Sequence, residues 1–206
     1  MIAVVFATEA ESRPFLKYYE RGRFEGLAEN EVASDEKITI TITGSGKIKA
    51  TLRTERLLVN NKFDLLLHVG SCQSLDKECP LGTIYRAIHV LEGDRVELAA
   101  PTYPRMPLAK VFKKVKDARL ITQDHSIKGQ TELTYWQRIA DITDMTSYGV
   151  AYVAATHGTP CSVIKVVAGV IDSEDVNLLL NIDESLETLG RFIVDCLPEL
   201  LKQVTA

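Results

Sequence analysis

The 206-residue sequence predicts an α/β fold in one domain, residues 1–206, with a mixed, largely parallel central sheet flanked by helices. Three observations predict it. Short runs dominated by Val, Ile and Leu recur at IAVVFA (2–7), FDLLLHVG (63–70) and CSVIKVVA (161–168). Unbroken runs of this kind are what strands buried on both faces look like. Helical patterns alternate with them, the order of a sheet layered by helices. The length itself suits one domain, at roughly 100–200 residues each. A chain of this size buries about 70% of its unfolded surface and needs no disulfide or metal for stability.

The first run predicts a buried strand, and TEAES after it reads as an acidic exit loop. KITITIT (37–43) alternates strictly, which predicts a strand with one wetter face. It ends in Gly44-Ser45-Gly46, and Ile48, Leu52 and Val59 then fall on one face of an expected helix. FDLLLHVG reads as a strand closed by a turn at Gly70-Ser71. GTIYRAIHVL (82–91) alternates again, PTYPRMP (101–107) holds three prolines and reads as a loop, and RLIT (119–122) feeds the polar loop QDHSIKGQTE. Met145, Tyr148, Gly149, Tyr152 and Val153 share one helical face, and Thr159-Pro160 breaks the chain before the next strand. The last 25 residues predict a long amphipathic helix on Leu186, Leu189, Ile193, Leu197, Leu200 and Leu201. Asn181 with Glu184 is a candidate start signal, and Pro198 a candidate kink.

Lys and Arg number 24 against 28 Asp and Glu, a formal charge of −4. Mild acidity argues against nucleic acid or an anionic membrane as partner, since both call for a basic face. No apolar run reaches the ~18 residues of a membrane span. MIAVVFATEAESRPF lacks the basic start of a signal peptide, so a cytoplasmic location is expected. Cys72, Cys79, Cys161 and Cys196 form no CxxC pair and read as reduced thiols in or near the core. His68, His89, His125 and His157 show no metal-ligand spacing, so neither a metal nor a cofactor is expected.

Three local motifs invite chemistry. GSGK (44–47) fails as a phosphate loop: Thr41 stands where a glycine is needed, and Ile48 follows the lysine instead of Ser or Thr. A tight turn whose amides could line a small-molecule site is what remains. Ser71, after Gly70, either caps a turn or faces a ligand beyond a strand end. Glu9 and Glu11 are either solvated acids or contain a general base, which a carboxylate facing an apolar cleft can become. Trp136 beside Tyr135 reads as core packing or a subunit contact.

Taken in order, VVFATEAES, TGSGKIKA, FDLLLHVGSCQSLDKECPLGTIYRA and DMTSYGVAYVAATHGTPCSVIKVVAG resemble the nucleoside phosphorylase/nucleosidase superfamily nearly end to end. The outline is most similar to its nucleosidase branch, which includes methylthioadenosine/adenosylhomocysteine nucleosidase and futalosine hydrolase. The resemblance implies a nucleoside phosphorylase-like domain that cleaves the bond between ribose and a base. Such a reaction passes through an oxocarbenium-like state, positive on the sugar and negative on the departing base. Glu11 falls where the family places the water-activating carboxylate, Ser71 on the bend facing ribose or phosphate, and Met145 where a methionine packs against the sugar. Ser45, Asp144, Thr146 and Gly169 complete the expected ligand-facing set.

Two positions depart from the family. Thr146 stands where it has a ribose-binding glutamate, and Gly169 where it has the aspartate that protonates the base. Asp172 is then the candidate replacement acid, with Asp144, Asp124 and His125 behind it. His68 replaces the arginine with which phosphorylases hold phosphate, so hydrolysis is favoured over phosphorolysis. A positioned acid contributes ~10²–10⁴ in rate, roughly 3–5 kcal/mol of barrier, so the departures bear directly on activity. The expectation is therefore a divergent N-ribosyl hydrolase acting on a small nucleoside-like molecule, as a homo-oligomer. A non-catalytic nucleoside-binding or interaction protein on the same scaffold is the alternative. A nucleotide-dependent enzyme using GSGK is remote.

Overall fold

The computed structural model describes residues 1–94, 104–171 and 182–205. Nine strands form one mixed sheet: β1 (Ile2–Phe6), β2 (Val32–Ser34), β3 (Ile38–Ile42), β4 (Leu65–Ser74), β5 (Ile84–Glu92), β6 (Arg105–Pro107), β7 (Lys116–Thr122), β8 (Ile142–Asp144) and β9 (Cys161–Val170). Among the described residues five α-helices flank it: α1 (Glu9–Tyr18), α2 (Lys47–Val59), α3 (Gly129–Gln137), α4 (Ser147–Thr156) and α5 (Ile182–Thr205).

The strand order is β2-β3-β1-β4-β8-β7-β5-β6, with β9 bridging β4 and β5. The pairings β4–β9, β9–β5, β5–β7, β7–β8 and β8–β4 therefore close a five-strand ring. β1, β3 and β2 extend from β4 as an open wing. Parallel pairs join β1 to β3 and β4, β4 to β9, and β7 to β5 and β8; the other pairs are antiparallel, so the parallel majority is narrow.

Strand alternation divides the core into two layers. Ile2, Val4 and Phe6 of β1 join Ile38, Ile40 and Ile42 of β3 beneath α1 and α5. Ala3 and Val5 point the opposite way, toward Ala50, Leu57 and Leu58 of α2 and Val150, Val153 and Ala154 of α4. A smaller cluster seats α3, where Leu133 and Trp136 meet Leu91 and Ile121. Trp136 is thus a core residue.

Several expectations need correction. β3 is buried on both faces, because Thr41 Oγ1 donates to the Glu31 carbonyl and Thr39 pairs with Ser34, which lets the threonines go inside. Gly70-Ser71 is no turn: β4 runs on to Ser74, with a register shift against β9 after Cys72. TEAES is helical, since α1 starts at Glu9. Arg105–Pro107 of the proline-rich segment pairs with β5 as a short edge strand. The apolar face read on α2 does not enter the core; Ile48, Leu52 and Val59 are exposed, and Ala50, Thr54, Leu57 and Leu58 are buried instead. Pro198 lies inside α5 without ending it. Asn181 and Asp172 lie outside the described residues.

α1 is held against α5 at Gly190. A Cβ there would sit 2.6 Å from Pro14 Cβ and 2.8 Å from the Phe15 nitrogen, so only glycine permits this approach. Gly190→Ala should cost about 1–3 kcal/mol by overpacking. Urea unfolding should show a lower midpoint at unchanged slope, the signature of a purely energetic loss.

Candidate active site

A cavity of about 350 Å³ opens beyond the ends of β1, β7 and β8, where α/β sheets commonly place ligands. Ala7, Thr8, Ala10 and Glu11 line it from the start of α1, Ser71, Cys72 and Gln73 from β4, and Thr143 to Thr146 from β8 and the approach to α4. Gln123, His125, Ser126 and Ile127 line it from the loop after β7, Ser45 from the glycine turn, and Ile182 and Leu186 from α5.

Glu11 enters this cavity through the local rules of helix starts. Thr8 is the N-cap of α1 and Glu11 its third residue, and together they close a capping box. Glu11 N donates to Thr8 Oγ1 at 3.2 Å, while Glu11 Oε2 accepts from Thr8 N at 3.3 Å and Ala7 N at 3.2 Å. The other oxygen reaches across the chain. Oε1 accepts from both Ser71 N and Ser71 Oγ, each at 2.7 Å. A Cβ on Gly70 would lie 2.7 Å from that same oxygen, so the glycine leaves room for the carboxylate. The acid is therefore buried, fixed and unpaired with any cation in its hydrogen bonds.

A second polar group underlies the cavity. Asp144 Oδ2 meets Lys165 Nζ at 2.9 Å, with both side chains out of water. Asp144 also accepts from Thr122 Oγ1 at 2.6 Å, Ser147 Oγ at 2.5 Å and Ser147 N at 3.1 Å. Lys165 Nζ donates in turn to His68 Nε2 at 3.1 Å, and His68 Nε2 lies 3.1 Å from Thr146 Oγ1. His68 Nδ1 donates to the Val5 carbonyl at 3.0 Å. With that donor and a cation at its other nitrogen, His68 must be neutral. Burial, reinforced by the Lys165 charge, pushes its pKa well down. Burial alone would raise the Asp144 carboxyl, but Lys165 overrides it and holds the group below the usual carboxylate range. Lys165 resists the loss of charge that burial favours because Asp144 and Glu11 face it.

Residues 2–198 match the Phosphorylase superfamily. The chain belongs to that superfamily. Aminodeoxyfutalosine nucleosidase of Helicobacter pylori is 21% identical over 194 residues, covering 82% of this chain and 83% of the relative. Futalosine hydrolase of the same organism superposes with a TM-score of 0.78 at 18% identity, over 96% of this chain and 97% of that one. The 5′-methylthioadenosine nucleosidase of Arabidopsis thaliana gives 0.77 at 18%, over 97% and 95%. At these identities the superpositions establish the fold.

For this superfamily member, Glu11, Ser45, Ser71, Asp144, Met145 and Thr146 all line one cavity, as the motif order implies. Gly169 does not. It lies buried in β9, paired with Gln73. Asp172 falls outside the described residues. His68 is no phosphate ligand, since it is fully buried beneath the site. Asp144 reaches the cavity wall with its acceptors already taken, so it cannot grip a sugar hydroxyl as a free carboxylate would. Cys72 is inert: burial pushes its thiol up, and it donates to the Val166 carbonyl. Sequence reasoning missed Lys165, which looks like an interruption in an apolar strand. It also passed over Gln73 of β4, and over Gln123 and Ser126, whose polar loop carries no motif.

Lys165→Met should cost about 3–5 kcal/mol, because it strands a buried carboxylate. Removing Asp144 as well should recover part of that loss in urea unfolding. Asp144 has a depressed folded pKa, so its contribution is present above about pH 4 and lost as pH falls below it. Lys165→Met should flatten that acid limb.

Proposed function

We propose that this chain is a divergent nucleosidase that hydrolyses the N-glycosidic bond of a small nucleoside-like molecule. The observation that carries the proposal is Glu11, a carboxylate facing a sugar-sized cavity with its two oxygens unequally held. Oε1 is tied by two 2.7 Å bonds from Ser71, while the bonds to Oε2 are long, 3.2 and 3.3 Å. Oε2 is therefore the oxygen free to take a proton from water as it attacks C1′. Ser71 Oγ and Thr146 Oγ1 orient the sugar, and Met145 packs against it. Hydrolysis fits better than phosphorolysis, since His125 is the one basic side chain among the described residues that line the cavity. The four free cysteines suit a reducing compartment such as the cytoplasm.

The locked state of Asp144 and the hydroxyl at Thr146 favour a second possibility, a protein that binds a nucleoside-like ligand without cleaving it. The discriminating experiment uses aminodeoxyfutalosine, 5′-methylthioadenosine and S-adenosylhomocysteine, followed by chromatography for free base. Release of base by the wild type, and a fall of about 10²–10⁴ in kcat/KM for Glu11→Gln, is the expected result. A thermal shift with no release, scaling as RT ln(1 + [L]/Kd), would favour the binding protein.

We further propose a homo-oligomer built on α2 and α4. Ile48, Leu52 and Tyr152 are 74%, 56% and 51% exposed, far more than isolated surface residues require, and they rim a second hollow with Tyr148 and Gly149. Asp124 on the rim of that hollow lies between Gln123 and His125 of the cavity along the chain, so a second copy seated there would border the cavity. Light scattering should report a dimer or larger species, and Leu52→Glu should shift it toward the monomer.

A further inference from the structure

An acid is needed where the departing base gathers negative charge, and the position the family uses holds Gly169. We infer that His125, in the loop after β7, protonates the leaving base, an inference that rests on the hydrolytic function proposed above. His125 is the one basic side chain among the described residues lining the cavity. Its imidazole is half-exposed and clamped between carboxylates from two elements. Nδ1 donates to Asp94 Oδ1 at 2.8 Å, from the loop after β5, and Nε2 donates to Glu132 Oε1 at 2.9 Å, from α3. Two anions acting on one ring require both nitrogens to carry protons. The Glu132 bond, then the Asp94 bond against the opposing effect of burial, hold the imidazole above the ordinary histidine value.

The surrounding charges allow the Nε2 proton to leave. Glu132 would lose one donor but keep Lys128 N at 2.8 Å and Trp136 Nε1 at 3.3 Å. Asp94 stays anchored by Lys47 Nζ at 2.6 Å and by Asp124 N at 2.7 Å, and Lys47 also meets Glu92 at 3.3 Å. Asp94 therefore orients the ring while Glu132 gives way to the base.

An independent observation marks the same wall. Gln123 is buried, lines the cavity and places one polar atom of its amide 3.4 Å from His125 Nε2, while the other polar atom has no partner among the described residues. A buried polar atom left without a partner calls for an explanation, and a ligand seated beside His125 supplies one. Gly93 fixes the Gln123 stem, since a Cβ there would lie 2.5 Å from Gln123 Cγ.

The step balances. Water adds OH to C1′ and gives its proton to Glu11. The C1′–N bond breaks with its electron pair on the base nitrogen, which takes the Nε2 proton. Glu11 then releases a proton to solvent and His125 regains one.

Binding of free adenine, measured by calorimetry from pH 5.5 to 8.5, tests the assignment without needing turnover. The wild type should bind more tightly at the acid end, where the imidazole is charged, with affinity falling as pH rises through its pKa. His125→Gln should lose that slope, whereas Glu11→Gln should keep it even where its turnover is abolished. In any nucleoside that the wild type cleaves, His125→Gln should lower kcat/KM by about 10²–10⁴, and the alkaline limb of the pH profile should vanish. Adenine binding that is absent, or pH-independent in the wild type, would overturn the assignment, as would a slope retained in His125→Gln. Absence of base release by the wild type from every nucleoside tried would instead overturn the hydrolytic function.

Discussion

A lysine ammonium sealed from water beside an equally sealed carboxylate sets the terms for the rest of this molecule. Removing each ion from water costs several kcal/mol, and the attraction between them repays it only with good geometry and further hydrogen bonds. The Lys165–Asp144 pair meets both conditions. Thr122, Ser147, His68 and Thr146 supply the additional donors and acceptors. These residues come from β4, β7, β8, β9 and the start of α4, so one polar knot joins four of the five strands that close the ring. A network of this kind tolerates little displacement, because any unpaired member is left charged or unsatisfied in a medium that cannot solvate it.

That knot also determines what the cavity can offer a ligand. Asp144 is neutralised by Lys165, and His68 is kept uncharged by Lys165 and by burial. Thr146 presents a hydroxyl whose oxygen is already oriented by His68 and Asp144. The floor is therefore polar without carrying net charge. The charges left to the walls are Glu11 at one edge and the clamped His125 at another. A reaction that separates positive from negative charge across one breaking bond needs unlike groups in separate places. In a low-dielectric cavity, a free carboxylate in place of the hydroxyl at 146 would add a second anion near Glu11, and the two would compete for protons.

Much of this was legible in the sequence, and what was not has physical causes. The buried strands announced themselves because apolar β-branched runs have few other uses, and α5 because its apolar residues from Leu186 to Leu201 keep phase for about four turns. Glu11, Ser71, Met145 and Thr146, singled out from the order of the motifs, line one cavity. Two kinds of error recur. Apolar periodicity on α2 marks a face but not its partner, and the face of Ile48 and Leu52 points outward. Glycine was read as a turn at Gly70, where its missing Cβ serves the close approach of Glu11 from a distant element. Lys165, and with it the pairing that occupies Asp144, stayed hidden for a related reason: nothing local distinguishes a buried charge from an exposed one until its partner is known.

The same logic connects Gly70, Ser71 and Glu11 more tightly than any of them connects to its own neighbours. A capping box alone would explain a glutamate at the third position of α1, with its side chain folded back on Thr8. It would not explain two short bonds from Ser71, nor a strand residue stripped of its Cβ where Oε1 approaches. The cap uses one carboxylate oxygen; the strand claims the other. Divided in this way, the side chain cannot swing toward solvent without breaking both sets of bonds. Its weakly held Oε2 is thereby presented to the cavity in a fixed place, which is what a proton acceptor for bound water requires. Helix-capping chemistry, available at any helix start, yields a carboxylate fixed at the cavity wall only because a distant glycine makes room for it.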